Sequence, residues 1–207
     1  MTRLPAPYGL RINRNVPVNF SFEGQHFVGL KGDVIASALA ANGQWMLSRS
    51  FKYHRPRGLM SMAGTEADTL VQLPSDPNVL ADRHEISEGL TVTAQNVNGS
   101  LTHDRDAFMD KLGRFMPVGF YYRTFMGPTK SSWLKIWEPL IRKKAGLGVL
   151  DTEATHQDFE KANLFCDLLV VGGGLAGLTA AVEAAEAGAD VILAEMEPDL
   201  GGALTYR

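Results

Sequence analysis

The sequence holds a single cysteine, Cys166, among 207 residues. One thiol cannot form an internal disulfide, a four-cysteine zinc site or an iron–sulfur cluster. Long apolar runs are also missing. The longest apolar region, 168–194, is interrupted by glycines and acids, so no membrane span is expected. The opening Met-Thr-Arg-Leu-Pro has none of the apolar character of a signal peptide, which leaves the cytoplasm as the expected compartment. Neither sign of charge dominates: 20 Lys and Arg stand against 23 Asp and Glu, a net charge of −3. A general nucleic-acid binder carries a large basic excess, so that class is set aside. His26, His54, His84, His103 and His156 are scattered, with no pair at the spacing of a helical metal site, and no metal is expected. There is no G-x-S-x-G motif, internal repeat or low-complexity segment.

What is present begins as a small mixed unit. Val16, Val18, Phe20 and Phe22 alternate with Pro17, Asn19 and Ser21, the period of a half-buried strand. Glu23-Gly24-Gln25 supplies a turn, and 26–30 returns as a hairpin partner. Asp33 suits the N-cap of a helix over 34–41, and Asn42-Gly43 suits its end. Short strands are expected at 69–73 and 90–97. From 104 to 165 the pattern turns helical, with short helices over 106–114 and 131–144, the second bent or divided by Pro139. Gly146 and Gly148 end it, and Arg142-Lys143-Lys144 read as its solvated end. The aromatic stretch 115–125 reads as packing between domains. Residues 151–161 read as a linker or one more short helix.

The strongest chemical signal lies near the end. A buried strand over 167–171 runs straight into Gly172-Gly173-Gly174-Leu175-Ala176-Gly177, and a helix over 178–187 stops at Gly188. Gly172, Gly174 and Gly177 have the G-x-G-x-x-G spacing. The first permits a tight turn, the second lets backbone approach a pyrophosphate, and the third lets helix and strand pack closely. Free N–H groups at the helix N-terminus then face the phosphates. Glu195 closes a second buried strand, 191–194, and lies 18 residues beyond Gly177, placed for a ribose hydroxyl. The carboxylate favours an unphosphorylated ribose and leaves NAD and FAD both open. The expected cofactor-binding residues are Gly172, Gly173, Gly174, Leu175, Ala176, Gly177, Glu195 and Met196. A doubly wound domain needs further strands than these, so the chain is expected to be a piece of a longer protein. Cys166, at the start of the strand, reads as a small buried hydrophobe.

One stretch resists a single reading. SFKYHRPRG, 50–58, interleaves Lys52, His54, Arg55 and Arg57 with Phe51 and Tyr53. It suits an anion-binding or docking loop, since Arg55 and Arg57 can pair bidentately with carboxylates or phosphates, or a plain solvated loop.

The glycine turn and its flanks, VVGGGLAGLTAAVEAAEAGADVILAEMEPDLGG, resemble the first βαβ unit of pyridine-nucleotide–disulfide-oxidoreductase-type flavoproteins. FSFEGQ, GDVIASALAANG and SFKYHRPRG together resemble the alpha subunits of heterotetrameric sarcosine oxidases. The resemblance implies an N-terminal β-grasp domain like a [2Fe–2S] ferredoxin (1–103) whose cluster loop has lost its cysteines. A helical connector (104–165) and the start of a Rossmann-like domain (166–207) follow, giving a chain that is α+β and then α/β. It implies NAD at the glycine turn, with FAD possible there, FAD and FMN elsewhere in the assembly, and no iron–sulfur cluster. It implies beta, gamma and delta partner subunits, tetrahydrofolate bound by a C-terminal half, and oxidation of sarcosine by oxygen. The products are glycine, hydrogen peroxide, and formaldehyde or methylene-tetrahydrofolate. These residues alone are expected to be inactive and to contain no catalytic residue. Two other readings stand beside it: a related amino-acid or opine oxidoreductase subunit, and a non-catalytic docking module.

Overall fold

The computed structural model describes residues 3–61, 64, 66–116, 119, 125, 127–129, 131–145, 148–153, 159–197 and 199–205. The chain divides into two compact units, 1–154 and 155–207.

The first unit is built on a hairpin. β1 (Asn13–Phe22) and β2 (Gln25–Lys31) pair antiparallel, Phe20 opposite Phe27. Glu23 and Gly24 both sit at positive φ, +52° and +74°, the geometry of a two-residue turn whose twist matches the strands. α1 (Ile35–Ala41) packs onto the sheet, and small residues let it approach closely: a Cβ on Gly29 would lie 2.9 Å from that of Ala38. Two further short strands, β3 (Met46–Arg49) and β4 (Pro56–Gly58), pair antiparallel on their own. β5 (Leu70–Gln72), β6 (Val79–Leu80) and β7 (Leu90–Ala94) complete a five-stranded mixed sheet in the order β2-β1-β7-β5-β6. β7 runs parallel to β1, Phe22 beside Val92, and antiparallel to β5. Phe20, Phe22, Ile35, Leu39, Leu47, Val71 and Val92 form the core. Each such side chain contributes about 1.5–3 kcal/mol by leaving water.

Asp33 does not cap the helix as its position suggested; Val34 occupies the N-cap. The Asp33 carboxylate is instead fully buried. It accepts two bonds from the Arg3 guanidinium (2.8 and 2.5 Å), one from the Leu30 N–H (2.8 Å) and one from Ser37 Oγ (2.7 Å). A buried carboxylate needs this many donors, and tertiary pairing overrides the local cap.

Glu88 ties the loop before β7 to β1. Its carboxylate accepts from the Asn19 N–H (2.9 Å) and from Asn19 Nδ2 (2.9 Å), and these bonds hold its pKa below the ordinary carboxylate value. A carboxyl group depressed on folding stabilises the fold above its unfolded pKa and loses that contribution as pH falls through the folded one. Glu88→Gln should therefore lower the urea midpoint near neutrality and leave it unchanged in acid below both pKa values. The same loss at both pH values would assign the effect to shape rather than charge.

The connector differs from its expected outline. Residues Arg105–Phe115 form a long 3₁₀ helix rather than an α-helix, and none of them is buried. Trp133–Trp137 is a π-helical turn leading into α2 (Glu138–Ala145), so the register changes one residue before Pro139. Proline has no N–H to donate to the helical ladder, and the change of register falls beside it. Arg142 pairs with Glu138 one turn earlier, so the basic helix end is partly self-paired. Gly146, His156, part of the 151–161 segment and most of the aromatic stretch between Phe115 and Phe125 lie outside the described residues.

The second unit is a parallel βαβ: β8 (Leu168–Val171), α3 (Leu175–Glu186) and β9 (Val191–Ala194). Its strands were expected to be buried and are not. Val171 is 80% exposed and Leu169 57%, because two strands and one helix cannot cover both faces of a sheet. Cys166 is likewise only partly covered rather than a core residue. No helix among the described residues is long and apolar enough to cross a membrane.

Candidate functional site

The glycine-rich turn joins β8 to α3. Gly172 takes φ +103°, a conformation side chains resist, and its N–H donates to the Ala194 carbonyl at 2.8 Å, tying the turn to the end of β9. Gly177 lies one turn into the helix. A Cβ there would stand 1.9 Å from the Gly172 carbonyl oxygen, so only glycine lets helix and turn meet. Gly174 is the opposite case: a Cβ there would meet nothing within 4 Å, so the protein itself does not require glycine. It stands at the N-cap of α3 with no side-chain cap. The first intrahelical bond runs from the Leu178 N–H to the Gly174 carbonyl. The N–H groups of Leu175, Ala176 and Gly177 are therefore outside the helical ladder and carry the positive end of the dipole. Backbone donors beside a position kept bare for no internal reason make a fit for an anionic group such as a pyrophosphate.

Glu195 reaches the same turn. Its Oε2 accepts from the Gly173 N–H at 2.5 Å, and its Oε1 accepts from the N–H groups of Met196 (2.7 Å) and Glu197 (2.9 Å). An ionised carboxylate has about four lone-pair sites, so capacity for one more donor remains. The Met196 side chain points to solvent. The chain then folds back: Gly201 N–H donates to the Gly173 carbonyl at 2.8 Å, and Leu200 packs against Gly173. All eight cofactor-binding candidates thus lie on or beside one turn; the return of Leu200 and Gly201 was not read from the sequence.

The basic loop is placed quite differently, in the first unit, and its cations all have partners there. Lys52 Nζ and Tyr53 Oη donate to the Met116 carbonyl (2.6 and 3.0 Å). Arg55 Nε donates to Asp110 (2.6 Å), and Arg57 pairs with Asp68 at 3.3 Å. His54 is buried, with φ +53°, and its Nδ1 lies 2.6 Å from Asp104 Oδ2.

Asp104 is the residue that sequence reading missed, since it stands 50 positions from His54. Its carboxylate is fully buried. It faces His54, the Arg49 Nε at 3.6 Å, and the N–H groups of Asn98 and Asp106, both at 3.0 Å. His54, Asp104 and Asp106 bring ligand atoms within 4.8 Å of one another, a grouping able to attract a metal ion. Asp104 already accepts on both oxygens, however, and a guanidinium lies beside it. A cation there would displace hydrogen bonds and meet like charge. The arrangement is that of a buried ion pair and its hydrogen bonds.

Comparison with known proteins adds identity to this geometry. Residues 167–207 match the family model of FAD dependent oxidoreductases, and residues 15–97 match that of a 2Fe-2S iron-sulfur cluster binding domain. The alpha subunit of sarcosine oxidase from Rhizobium meliloti (strain 1021) is 45% identical over 197 residues, 93% of this chain. Over nearly its whole length the chain is thus similar to a sarcosine oxidase alpha subunit. Two further sarcosine oxidase alpha subunits, from Corynebacterium sp. strains P-1 and U-96, are each 30% identical, over 98% and 95% of this chain. The chain spans only about a fifth of the length of these relatives: 20%, 17% and 16%. A solved L-proline dehydrogenase from P. horikoshii shares 19% identity over 92% of this chain and 26% of its own, with a TM-score of 0.49. The family model for 15–97 implies a cluster, but the residues do not fit one. That span contains no cysteine, and the lone thiol is in the second unit. The fold is therefore a ferredoxin-like mixed sheet, helical segments, and a parallel βαβ start of an FAD- or NAD-type nucleotide-binding domain.

Proposed function

We propose that the chain serves as part of the alpha subunit of a multi-subunit, cytoplasmic sarcosine oxidase, with the glycine turn binding NAD. In this reading sarcosine, oxygen and water give glycine, formaldehyde and hydrogen peroxide; with tetrahydrofolate, methylene-tetrahydrofolate replaces formaldehyde. Residues 1–103, 104–165 and 166–207 act as β-grasp domain, connector and nucleotide-binding start. Gly172, Gly173, Gly174, Leu175, Ala176 and Gly177 hold the pyrophosphate through backbone N–H groups, and Glu195, beside Met196, takes a ribose hydroxyl. FAD and FMN, the beta, gamma and delta subunits, and the folate site belong to the rest of the assembly. The observation that carries the reading is the open face at Gly174 beside unladdered N–H groups, in a chain 45% identical to a sarcosine oxidase alpha subunit.

The test is to purify the full protein with the partners that accompany it, extract its nucleotides, and follow peroxide release with sarcosine. Stoichiometric NAD and sarcosine-dependent peroxide are expected. FAD as the only nucleotide lost on substitution of Gly174 would reassign the turn to FAD. Turnover confined to other secondary amino acids would favour the opine or amino-acid oxidoreductase reading. Stable partners with neither nucleotide nor turnover would favour the docking module.

A further inference from the structure

The cysteine-free basic loop has a use that its outward appearance conceals. The 3₁₀ helix 105–115 buries none of its own residues; apolar burial holds only its flanks, Leu101 and Met116, and not its length. An 11-residue 3₁₀ helix is also far longer than its hydrogen-bond geometry sustains alone. Yet the loop and the residue before it contact this segment along its length. Arg49 donates from Nε and Nη2 to the Leu101 carbonyl (2.8 and 2.5 Å), and His54 meets Asp104 just before the helix. Arg55 meets Asp110 at its middle, and Lys52 and Tyr53 reach the Met116 carbonyl just after it. Tyr53 also packs beside Gly113, where a Cβ would stand 3.4 Å from its ring. Lys52 Nζ and Arg55 Cζ lie 4.8 and 4.6 Å from the ring centroid. His54 holds a left-handed backbone conformation that a non-glycine residue adopts at a cost.

We propose that the SFKYHRPRG loop is an electrostatic latch that works inward: its cations order residues 101–116 on the first unit, in place of an external anion or partner. The latch has two parts. His54, Asp104 and Arg49 form a buried anchor that salt does not reach. Arg55–Asp110, with side chains 55% and 47% exposed, forms an outer clasp open to screening.

Hydrogen exchange on the full chain tests this. Arg55→Asp and Asp110→Arg should each speed exchange of the 105–115 amides about two- to fivefold, the range an exposed pair supports. The combined reversal should return exchange toward the wild-type rate. Roughly 1 M sodium chloride should reproduce the single-variant effect in the wild type. Protection in β1, β2 and β7 should not change. The proposal fails if exchange at 105–115 ignores salt and both single variants, or if the reversed pair does not recover. It also fails if millimolar inorganic phosphate protects 50–57 while loosening 105–115, since the loop would then be an anion site competing with Asp110.

Discussion

Gly177→Ala is expected to abolish nucleotide retention and to loosen the βαβ unit. The added methyl would stand 1.9 Å from the Gly172 carbonyl oxygen and 3.4 Å from Val170 Cγ1. The obstacle is backbone, which cannot turn aside as a side chain can. The helix must move off the strand, at a cost of about 1–3 kcal/mol, less the fraction of a kcal/mol that alanine returns as a better helix former. Movement of α3 carries away the N–H groups that face the phosphates. Nucleotide content of the purified full protein and its thermal midpoint measure the two effects. Retained nucleotide at wild-type stoichiometry would show that helix and turn are not locked in the way the structure describes.

Asp104→Ala should be the most damaging single change in the first unit. It leaves the Arg49 guanidinium, 8% exposed, and the His54 ring, 5% exposed, beside an empty buried site, and it releases the N–H groups of Asn98 and Asp106. Breaking one partner out of a buried ionic group costs about 3–5 kcal/mol. Asp104→Asn keeps the shape and one acceptor oxygen and should lose less. Urea unfolding followed by tryptophan fluorescence gives both values. Equal, small losses for the two variants would mean that the buried charge contributes little to the fold.

Much of this was legible in the sequence where the relevant contacts are local. The β1–β2 hairpin follows from alternation and from Glu23-Gly24. The glycine turn follows from spacing that backbone geometry imposes, and Gly172 and Gly177 take the roles their positions suggested. Legibility failed where partners are distant. Asp33 looked like a helix cap because the cap is a local rule, while Arg3, 30 residues away, claims its carboxylate. The basic loop read as an anion-binding or docking loop or as a solvated one, because Asp104, Asp110 and Met116 stand 50 or more residues beyond the side chains they meet. β3, β4 and β6 are two to four residues each, too short for a period to register. The 3₁₀ form of 105–115 was hidden for the same reason as its latch: side chains elsewhere in the chain hold it.

The reading of the glycine turn as a dinucleotide site is tested most directly by Gly174→Ala in the full protein. A methyl there meets nothing within 4 Å, so the fold should be untouched and the thermal midpoint of nucleotide-free protein unchanged. Bound nucleotide, extracted and quantified against wild type, should nevertheless fall severalfold or vanish, because the methyl occupies the space in which backbone meets phosphate. Full nucleotide occupancy in a normally folded variant would contradict the assignment of this turn as the binding site.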